Sequence, residues 1–168
     1  VLATIRTSVE GGEAFLDDEE YCALVRALAP LVGGVDVEIL RDGAPALIED
    51  AHAAGSLVIG SFHDFDATPS DDQLAEVLAD MNYAGADVLK FACMATSATD
   101  AARVIGAQAW AREAYDRPII GIAMGPSGAP TRLVGSALGC AATFATLPGS
   151  EGSAPGQFTI DQVRTVLD

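Results

Sequence analysis

The chain is almost without lysine. Lys90 is the only lysine in 168 residues, and every other basic side chain is an arginine. Positive charge is scarce in general, because 24 acidic residues stand against nine basic ones and the net charge is −15. Nucleic acids and anionic membranes are bound through clustered basic side chains. We therefore expect neither a nucleic acid nor a membrane among the partners of this protein.

Long apolar runs and paired cysteines are missing as well. Charges interrupt each apolar segment before the ~20 residues that cross a bilayer, and the first residues, VLATIRTSVEGGE, lack the features of a signal peptide. Cys22, Cys93 and Cys140 show no CxxC or Cys/His spacing typical of zinc. With 50% hydrophobic residues, the chain suffices for one globular domain over 1–168. We expect a cytoplasmic protein with reduced core thiols and no metal site.

What the sequence does contain is a regular alternation of strand-like and helical segments. Strands are predicted at 1–6, 35–40, 57–62, 87–93, 118–124 and 139–145, and helices at 17–29, 43–54, 70–84, 98–115, 130–137 and 159–167. Ser70 and Thr99–Asp100 supply start signals for the third and fourth helices, and Gly55 and Gly85 supply stop signals. Strands that are apolar almost throughout favour a parallel sheet with helices outside it.

This alternation predicts an α/β fold with six βα units. A closed (βα)8 barrel contains eight such units, so the sheet is either open or short of two units. No GxGxxG motif follows the first strand, and no Walker sequence occurs. These absences disfavour the doubly wound nucleotide-binding folds.

Polar side chains follow the strands at their carboxyl ends. The set comprises Arg6, Glu10, Asp36, Glu38, Ser61, His63, Asp64, Lys90, Arg132 and the loop 146–157. In parallel α/β folds the carboxyl ends of the strands lie at one face, where the active site is found. We therefore expect these side chains to converge.

Lys90 has two interpretations. It is either an ordinary lysine at the end of a strand, reaching solvent or paired with Asp87, or a functional amine. Its neighbours Leu89 and Phe91 face the opposite side of the strand, which places Lys90 inside the barrel or cleft. Burial and nearby arginines favour the neutral amine there. A neutral amine is a nucleophile that forms a Schiff base with a ketone or aldehyde.

His63 is the candidate proton shuttle, although a loop histidine bonded only to backbone is the alternative. It follows a strand directly, and a pKa near neutrality suits general acid/base catalysis beside a Schiff-base lysine. Glu10 is the candidate to orient its imidazole, with Asp64 as competitor. The other histidine, His52, lies within a helix and is expected to be solvated and without function.

Arg6 and Arg132 are the cations of this face. Each either pairs with one of the many acids or binds a substrate carboxylate in a bidentate manner. The segment MGPSGAPTR has the glycines of a phosphate-binding loop, but its prolines remove amide donors and disfavour that role. The loop 146–157 is either a linker or a lid over the substrate, to which Ser153 and Gln157 would contribute hydrogen bonds.

Five blocks of the sequence are distinctive. They are TIRTSVEGGE, SFHDFDATP, DVLKFA, PSGAPTRLVGSALGCAATFA and GSAPGQFTIDQVRTVL. In this order, over essentially the whole chain, they resemble the signature blocks of class I 3-dehydroquinate dehydratases. The resemblance implies a (βα)8 TIM barrel, usually a homodimer, that acts in the shikimate pathway without metal or cofactor.

The resemblance also implies roles for single residues. Lys90 matches the Schiff-base lysine, His63 the general acid/base and Glu10 the acid that orients this histidine. The substrate-binding positions of the family match four residues: Arg6, Arg132, Ser153 and Gln157. Of these four, Arg132 would hold the substrate carboxylate. The implied reaction is the dehydration of 3-dehydroquinate to 3-dehydroshikimate by a hydro-lyase.

The chain departs from the family pattern in two places. It begins at what resembles the third strand of the family, so we expect an incomplete barrel without a strand that would supply a Glu and an Arg to the substrate. Met94 stands where a proline is more usual. Two other functions stay open: another Schiff-base barrel lyase or aldolase, which the HDF turn and SAPGQ loop disfavour, and a catalytically impaired remnant of the dehydratase.

Overall fold

The computed structural model describes residues 1–150 and 152–167. Within them the chain forms two compact units. Unit 1 consists of Val1–His63 and Ala75–Lys90, and unit 2 consists of Asp64–Leu74 and the residues from Phe91 onward.

The described residues contain five strands and six α-helices. The strands are β1 (Leu2–Ala3), β2 (Gly34–Glu38), β3 (Leu57–Asp64), β4 (Val88–Met94) and β5 (Ile119–Met124). The helices are α1 (Asp18–Leu28), α2 (Ala44–Ala53), α3 (Asp71–Tyr83), α4 (Ala98–Ala114), α5 (Ala129–Leu133) and α6 (Ile160–Leu167). The sheet order is β1-β2-β3-β4-β5. The α/β class predicted from the alternation of segments is confirmed.

The strands β1, β2 and β3 of unit 1 are parallel. Glu38 of β2 lies beside Ser61 of β3 in their register. Because side chains alternate across a strand, Asp36, Glu38 and Ser61 share one face of the sheet. Val35 and Val37 point to the other face and are buried. The sequence VDVE thus separates a charged face from an apolar one within a single strand.

Glycine is required at position 60 of β3. A Cβ atom there would lie 2.9 Å from the Cβ of Ala86 and 3.2 Å from the Cγ of Met81 in α3. The first distance is shorter than van der Waals contact between carbon atoms allows. Gly60 therefore permits the close approach of α3 to β3.

Capping boxes begin several of the helices, α3 and α4 among them. Before α3, Ser70 accepts a hydrogen bond from the amide of Gln73 and donates its own amide to the Gln73 side chain. Before α4, Ser97 is the cap and Asp100 completes the box. The prediction of Ser70 is confirmed. The predicted start signal of α4, Thr99–Asp100, is right for Asp100, which takes part in the box, and wrong for Thr99, because the hydroxyl that accepts the orphan amide belongs to Ser97.

The predicted stop signals of α2 and α3 are confirmed. Gly55 and Gly85 follow these helices with φ of 87° and 88°. This left-handed conformation suits glycine, which has no Cβ to clash.

The segment 139–145 does not form the predicted sixth strand. One strand-like hydrogen bond occurs, from the amide of Ala141 to the carbonyl of Ile119 at 2.8 Å. The sequence GCAATFA is rich in Gly and Ala, which have low strand propensity, and Gly139 adopts φ of 79°. Six βα units are therefore not present in the described residues, which contain five strands.

Two other elements differ from their predicted extents. Strand β1 covers Leu2–Ala3 rather than 1–6, so that Arg6 lies beyond it. The predicted helix 130–137 is divided into α5 and a 3-10 turn at Gly135–Leu138.

Within residues 1–150 and 152–167, no helix is both long enough and apolar enough to cross a bilayer. Cys22 and Cys93 are buried, and Cys140 is partly exposed.

Candidate active site

Lys90 lies in β4, with its side chain almost withdrawn from solvent. The residue is 6% exposed, and its neighbours Leu89 and Phe91 are fully buried. The Nζ atom lies 2.8 Å from Nε2 of His63 and 3.4 Å from Oδ2 of Asp36. The interpretation of Lys90 as a lysine that reaches solvent is therefore wrong.

The pKa of Lys90 is lowered from its usual value. Burial is the main cause, and the nearby guanidinium of Arg6 acts in the same direction. Asp36 and Glu10 oppose both effects because their negative charges favour the ammonium form. The balance favours the neutral amine more than in water, as a nucleophile requires.

His63 stands at the end of β3, between Lys90 and Glu10. Its Nδ1 atom lies 2.8 Å from Oε2 of Glu10, and Arg6 donates to the same oxygen at 3.0 Å. Because Oε2 accepts from Arg6, we assign Nδ1 as the protonated nitrogen that also donates to it. The lone pair of Nε2 is then directed at the amine of Lys90.

The pKa of His63 is not near neutrality. Burial, followed by the charges of Lys90 and Arg6, lowers it from 6.5 to about 2. The expectation of a near-neutral pKa is thus wrong for this state of the protein. The imidazole is neutral instead, which is the form of a general base.

Glu10 is the carboxylate that contacts His63. Burial raises the pKa of Glu10 from 4.5 to about 8, against the lowering effect of Arg6. Its predicted competitor Asp64 has other partners, since Asp64 Oδ1 accepts the amides of Asp66 and Ala67 at 2.9 Å each. Of the two predicted partners, the structure brings Glu10 to the imidazole.

Arg6 is surrounded by carboxylates. Its Nη2 atom donates to Asp36 at 2.6 Å, and its Nη1 atom donates to Glu10, Glu38 and Ser61 at 2.9 to 3.2 Å. Of the two interpretations in the sequence, pairing with acids is the one that these contacts display. The guanidinium neutralises part of a strongly negative cluster.

Two acidic residues of β2 were noted in the sequence without a role. Glu38 accepts from the amide and hydroxyl of Thr7 at 2.8 and 2.7 Å and from Arg41 at 3.2 Å. Asp36 contacts Arg6 and Lys90. Two carboxylates in an otherwise apolar strand are the signal that identifies them, because buried charges need partners.

Arg132 of α5, in unit 2, is buried with few partners. It is 2% exposed, and its Nη2 atom donates to the carbonyl of Pro155 at 3.2 Å. Its Nε atom has no hydrogen-bond partner among the described residues. Burial lowers the pKa of Arg132, so a bound anion would compensate its charge.

The loop 146–157 of unit 2 is closed at its base. The amide of Thr146 donates to the carbonyl of Phe158 at 2.9 Å, while Gln157 accepts from the amide of Ser153 at 2.9 Å and donates to its hydroxyl at 3.1 Å. Glu151 of this loop lies outside the described residues. Ser153 and Gln157 thus contact each other, on either side of the Pro155 carbonyl that Arg132 holds.

Two further expectations concern the second histidine and metal binding. His52, which was expected to be solvated, is paired with Asp87 at 2.9 Å, at 38% exposure of its side chain. No cluster of His, Cys, Asp and Glu within the described ranges is suited to hold a metal ion.

Comparison with known proteins gives consistent matches over the whole chain. The sequence matches the model of a family described as type I 3-dehydroquinase over residues 1–168. The 3-dehydroquinate dehydratase of Klebsiella pneumoniae subsp. pneumoniae is 42% identical over 173 residues, which cover 100% of this chain and 68% of that protein.

Solved structures agree with the sequence matches. The 3-dehydroquinate dehydratase from Geobacillus kaustophilus HTA426 superposes with a TM-score of 0.91 at 36% identity, covering 99% of this chain and 65% of that one. The type I 3-dehydroquinate dehydratase from Clostridium difficile, solved with covalently modified comenic acid, gives 0.88 at 34% identity and covers 99% and 66%. This chain therefore spans about two thirds of the length of its relatives.

Proposed function

Because this chain belongs to the type I 3-dehydroquinase family, we propose that it dehydrates 3-dehydroquinate to 3-dehydroshikimate through a Schiff base on Lys90. The observation that supports this most is the 2.8 Å contact between Nζ of Lys90 and Nε2 of His63. A buried amine beside a neutral imidazole is the pair that imine formation followed by proton abstraction requires.

The first proposed step joins Lys90 to the substrate. Its neutral amine adds to the C3 ketone, and loss of water with uptake of one proton leaves an iminium cation. The positive nitrogen withdraws electrons from C2 and makes the C2 proton acidic. Burial of Lys90, which lowers the pKa of its amine, favours the first addition.

The second proposed step is carried out by His63. Its Nε2 lone pair removes the C2 proton, which gives an enamine, and the resulting imidazolium returns the proton to the C1 hydroxyl as it departs as water. Hydrolysis of the imine then releases 3-dehydroshikimate and the amine. Glu10 accepts the Nδ1–H of the ring and so holds the ring with Nε2 facing the Lys90 amine.

Substrate binding is proposed for the arginines and the loop. Arg132 would hold the substrate carboxylate, which its buried and incompletely paired guanidinium favours. Ser153 and Gln157 would donate hydrogen bonds after exchanging their mutual contact for the substrate. Arg6 would contact a substrate hydroxyl beside its carboxylate partners. We further propose that the protein is cytoplasmic and forms a homodimer. Sedimentation equilibrium tests the homodimer.

The proposed function is tested by trapping the imine. Borohydride reduction in the presence of 3-dehydroquinate is expected to add one substrate-derived mass to the wild-type protein and none to Lys90→Ala. Lys90→Arg is the matched control, because it retains a cation that cannot form an imine. An adduct that persists in either variant would contradict the assignment.

Two other outcomes correspond to the alternative functions. A folded wild-type protein that forms no adduct would indicate an impaired remnant. Adducts formed only with other carbonyl compounds would indicate an aldolase.

A further inference from the structure

Asp36 is a buried carboxylate whose two oxygens face different cations. The residue is 2% exposed. Its Oδ1 atom accepts from Arg6 at 2.6 Å and from the hydroxyl of Ser61 at 2.6 Å. Its Oδ2 atom lies 3.4 Å from Nζ of Lys90. The hydroxyl and the guanidinium fix the carboxylate in this orientation, so Oδ2 is held toward the amine.

A fixed negative charge at this distance discriminates between the states of the lysine nitrogen. It stabilises the ammonium ion and the iminium ion, which are both positive, and stabilises the neutral amine very little. The interaction is strong because the carboxylate and the amine are buried and water screens them weakly.

We propose that Asp36 is the counter-ion of the Lys90 nitrogen, a positioning residue that favours the iminium over the free amine and its ketone. The inference rests on the Schiff base of the proposed function. In that step the amine, the ketone and one proton give the iminium and one water, so the nitrogen gains a positive charge that Asp36 faces throughout. The same contact sets the lowest pH at which the free amine is available.

The charged groups around Lys90 determine in which direction loss of the Asp36 charge shifts the pKa of the amine. Asp36 approaches from β2, His63 from β3, and Arg6 and Glu10 from the segment after β1. Asp36 and Glu10 raise the pKa of Lys90, whereas burial and Arg6 lower it. Removal of the Asp36 charge therefore lowers this pKa further. The free amine persists to lower pH, but its iminium is less stable.

The first experiment needs no substrate, because Lys90 is the only lysine in the chain. Acetic anhydride is applied across a pH series, and acetylation of the peptide that contains Lys90 is measured by mass spectrometry. Peptide mapping separates this signal from the amine of Val1. Asp36→Asn is expected to shift the labelling midpoint down by about one to three pH units, the usual effect of one close opposite charge.

Glu38→Gln is the matched control for this shift. Glu38 is a second buried carboxylate of β2, and its contacts are with Arg6, Thr7 and Arg41. We expect its midpoint to move by less than half as much as that of Asp36→Asn. Equal shifts in the two variants, or an unmoved midpoint in folded Asp36→Asn, would overturn the proposal.

Asp36→Glu provides the test if the Asn variant does not fold. It keeps a carboxylate beside the amine, so its labelling midpoint is expected within about half a pH unit of wild type. A midpoint lowered by about one unit or more would overturn the proposal, since the charge is still present.

The second experiment examines the iminium itself. Above the labelling midpoint, and at 3-dehydroquinate concentrations that convert only a minor part of the wild type, the fraction of Asp36→Asn trapped by borohydride is expected to fall about tenfold for each pH unit of midpoint shift. An undiminished fraction together with a shifted midpoint would overturn the counter-ion role toward the iminium. If the wild type formed no adduct, the proposed function would fail, while the labelling experiment would still decide the contact between Asp36 and the amine.

Discussion

At the scale of single residues, opposing influences act on the amine of Lys90. Burial and Arg6 lower the pKa of Lys90, and Asp36 raises it. Asp36 and Lys90 lie in strands, where period-two alternation predicts the face to which each side chain points; Arg6 lies beyond β1, so its position was not predictable in this way. The pKa of His63 was not predictable either, because it depends on how completely the fold covers the ring, which no local pattern of residues specifies.

His63→Ala separates imine formation from proton transfer. The variant is expected to form the borohydride-trapped adduct on Lys90 but to lose turnover by about 10²–10⁴-fold, the usual contribution of a positioned acid/base group. His52→Ala is the matched control, since it removes the other histidine, which pairs with Asp87, and should retain its rate. Normal turnover of 3-dehydroquinate by His63→Ala would show that another group moves the proton.

Glu10→Gln isolates one titration. Burial raises the pKa of Glu10 from 4.5 to about 8, so between these values the folded protein retains a proton that the unfolded chain has released. The unfolding free energy of wild type should therefore fall with rising pH, relative to that of Glu10→Gln, by up to about 1.4 kcal/mol per pH unit. Below the unfolded pKa and above the folded pKa the difference should be constant.

Urea unfolding of both proteins at about pH 5 and about pH 7.5 measures this difference. Glu13→Gln, which removes an exposed carboxylate from the same loop, controls for the change of net charge. A difference between wild type and Glu10→Gln that did not vary with pH would contradict the raised pKa of Glu10.

At the scale of the elements, strands β2 to β5 were predicted to within two residues at each end. Their apolar runs are long and bounded by glycine, proline or acidic residues, so propensity and burial agree. The segment 139–145 was predicted wrongly because its small residues have an apolar composition but little preference for a strand. Membership of the TIM-barrel family followed from the resemblance and is confirmed by the TM-score of 0.91.

Gly60→Ala tests the close approach of α3 to β3. The new Cβ would lie 2.9 Å from that of Ala86, and such overpacking is expected to lower the unfolding free energy by about 1–3 kcal/mol. Gly106→Ala in α4 is the matched control, since its Cβ would meet no described atom within 4 Å. It should raise stability by about 1 kcal/mol, because alanine favours a helix interior. Thermal unfolding of both variants decides, and equal effects would contradict the contact.

At the scale of the whole molecule, charge is the dominant property, and composition alone predicted it. The chain carries 24 acidic and nine basic residues. Exposed pairs such as Arg26 with Asp50 contribute little to stability, so repulsion among the unpaired acids is only partly offset. How the chain divides into two units follows from long-range packing, which composition does not encode.

Added salt should therefore stabilise the protein. Raising sodium chloride from about 0.01 M to about 0.5 M shortens the Debye length from about 30 Å to about 4 Å and weakens repulsion within a chain of net charge −15. Each 1 kcal/mol that the salt adds to the unfolding free energy should raise Tm by roughly 2–4 °C in a chain of this size. Differential scanning calorimetry measures it, and tetramethylammonium chloride should act alike if screening is the cause. A Tm that fell with both salts would contradict this account.

Because Arg132 donates a hydrogen bond to the carbonyl of Pro155, this backbone oxygen would compete with the anion that we propose Arg132 binds. If Arg132 binds the substrate carboxylate as proposed, the carboxylate must displace the Pro155 carbonyl. The binding affinity then depends on how much more strongly the guanidinium interacts with the carboxylate than with this carbonyl. Substitutions near Pro155 would then alter KM even where the substituted side chain does not contact the substrate.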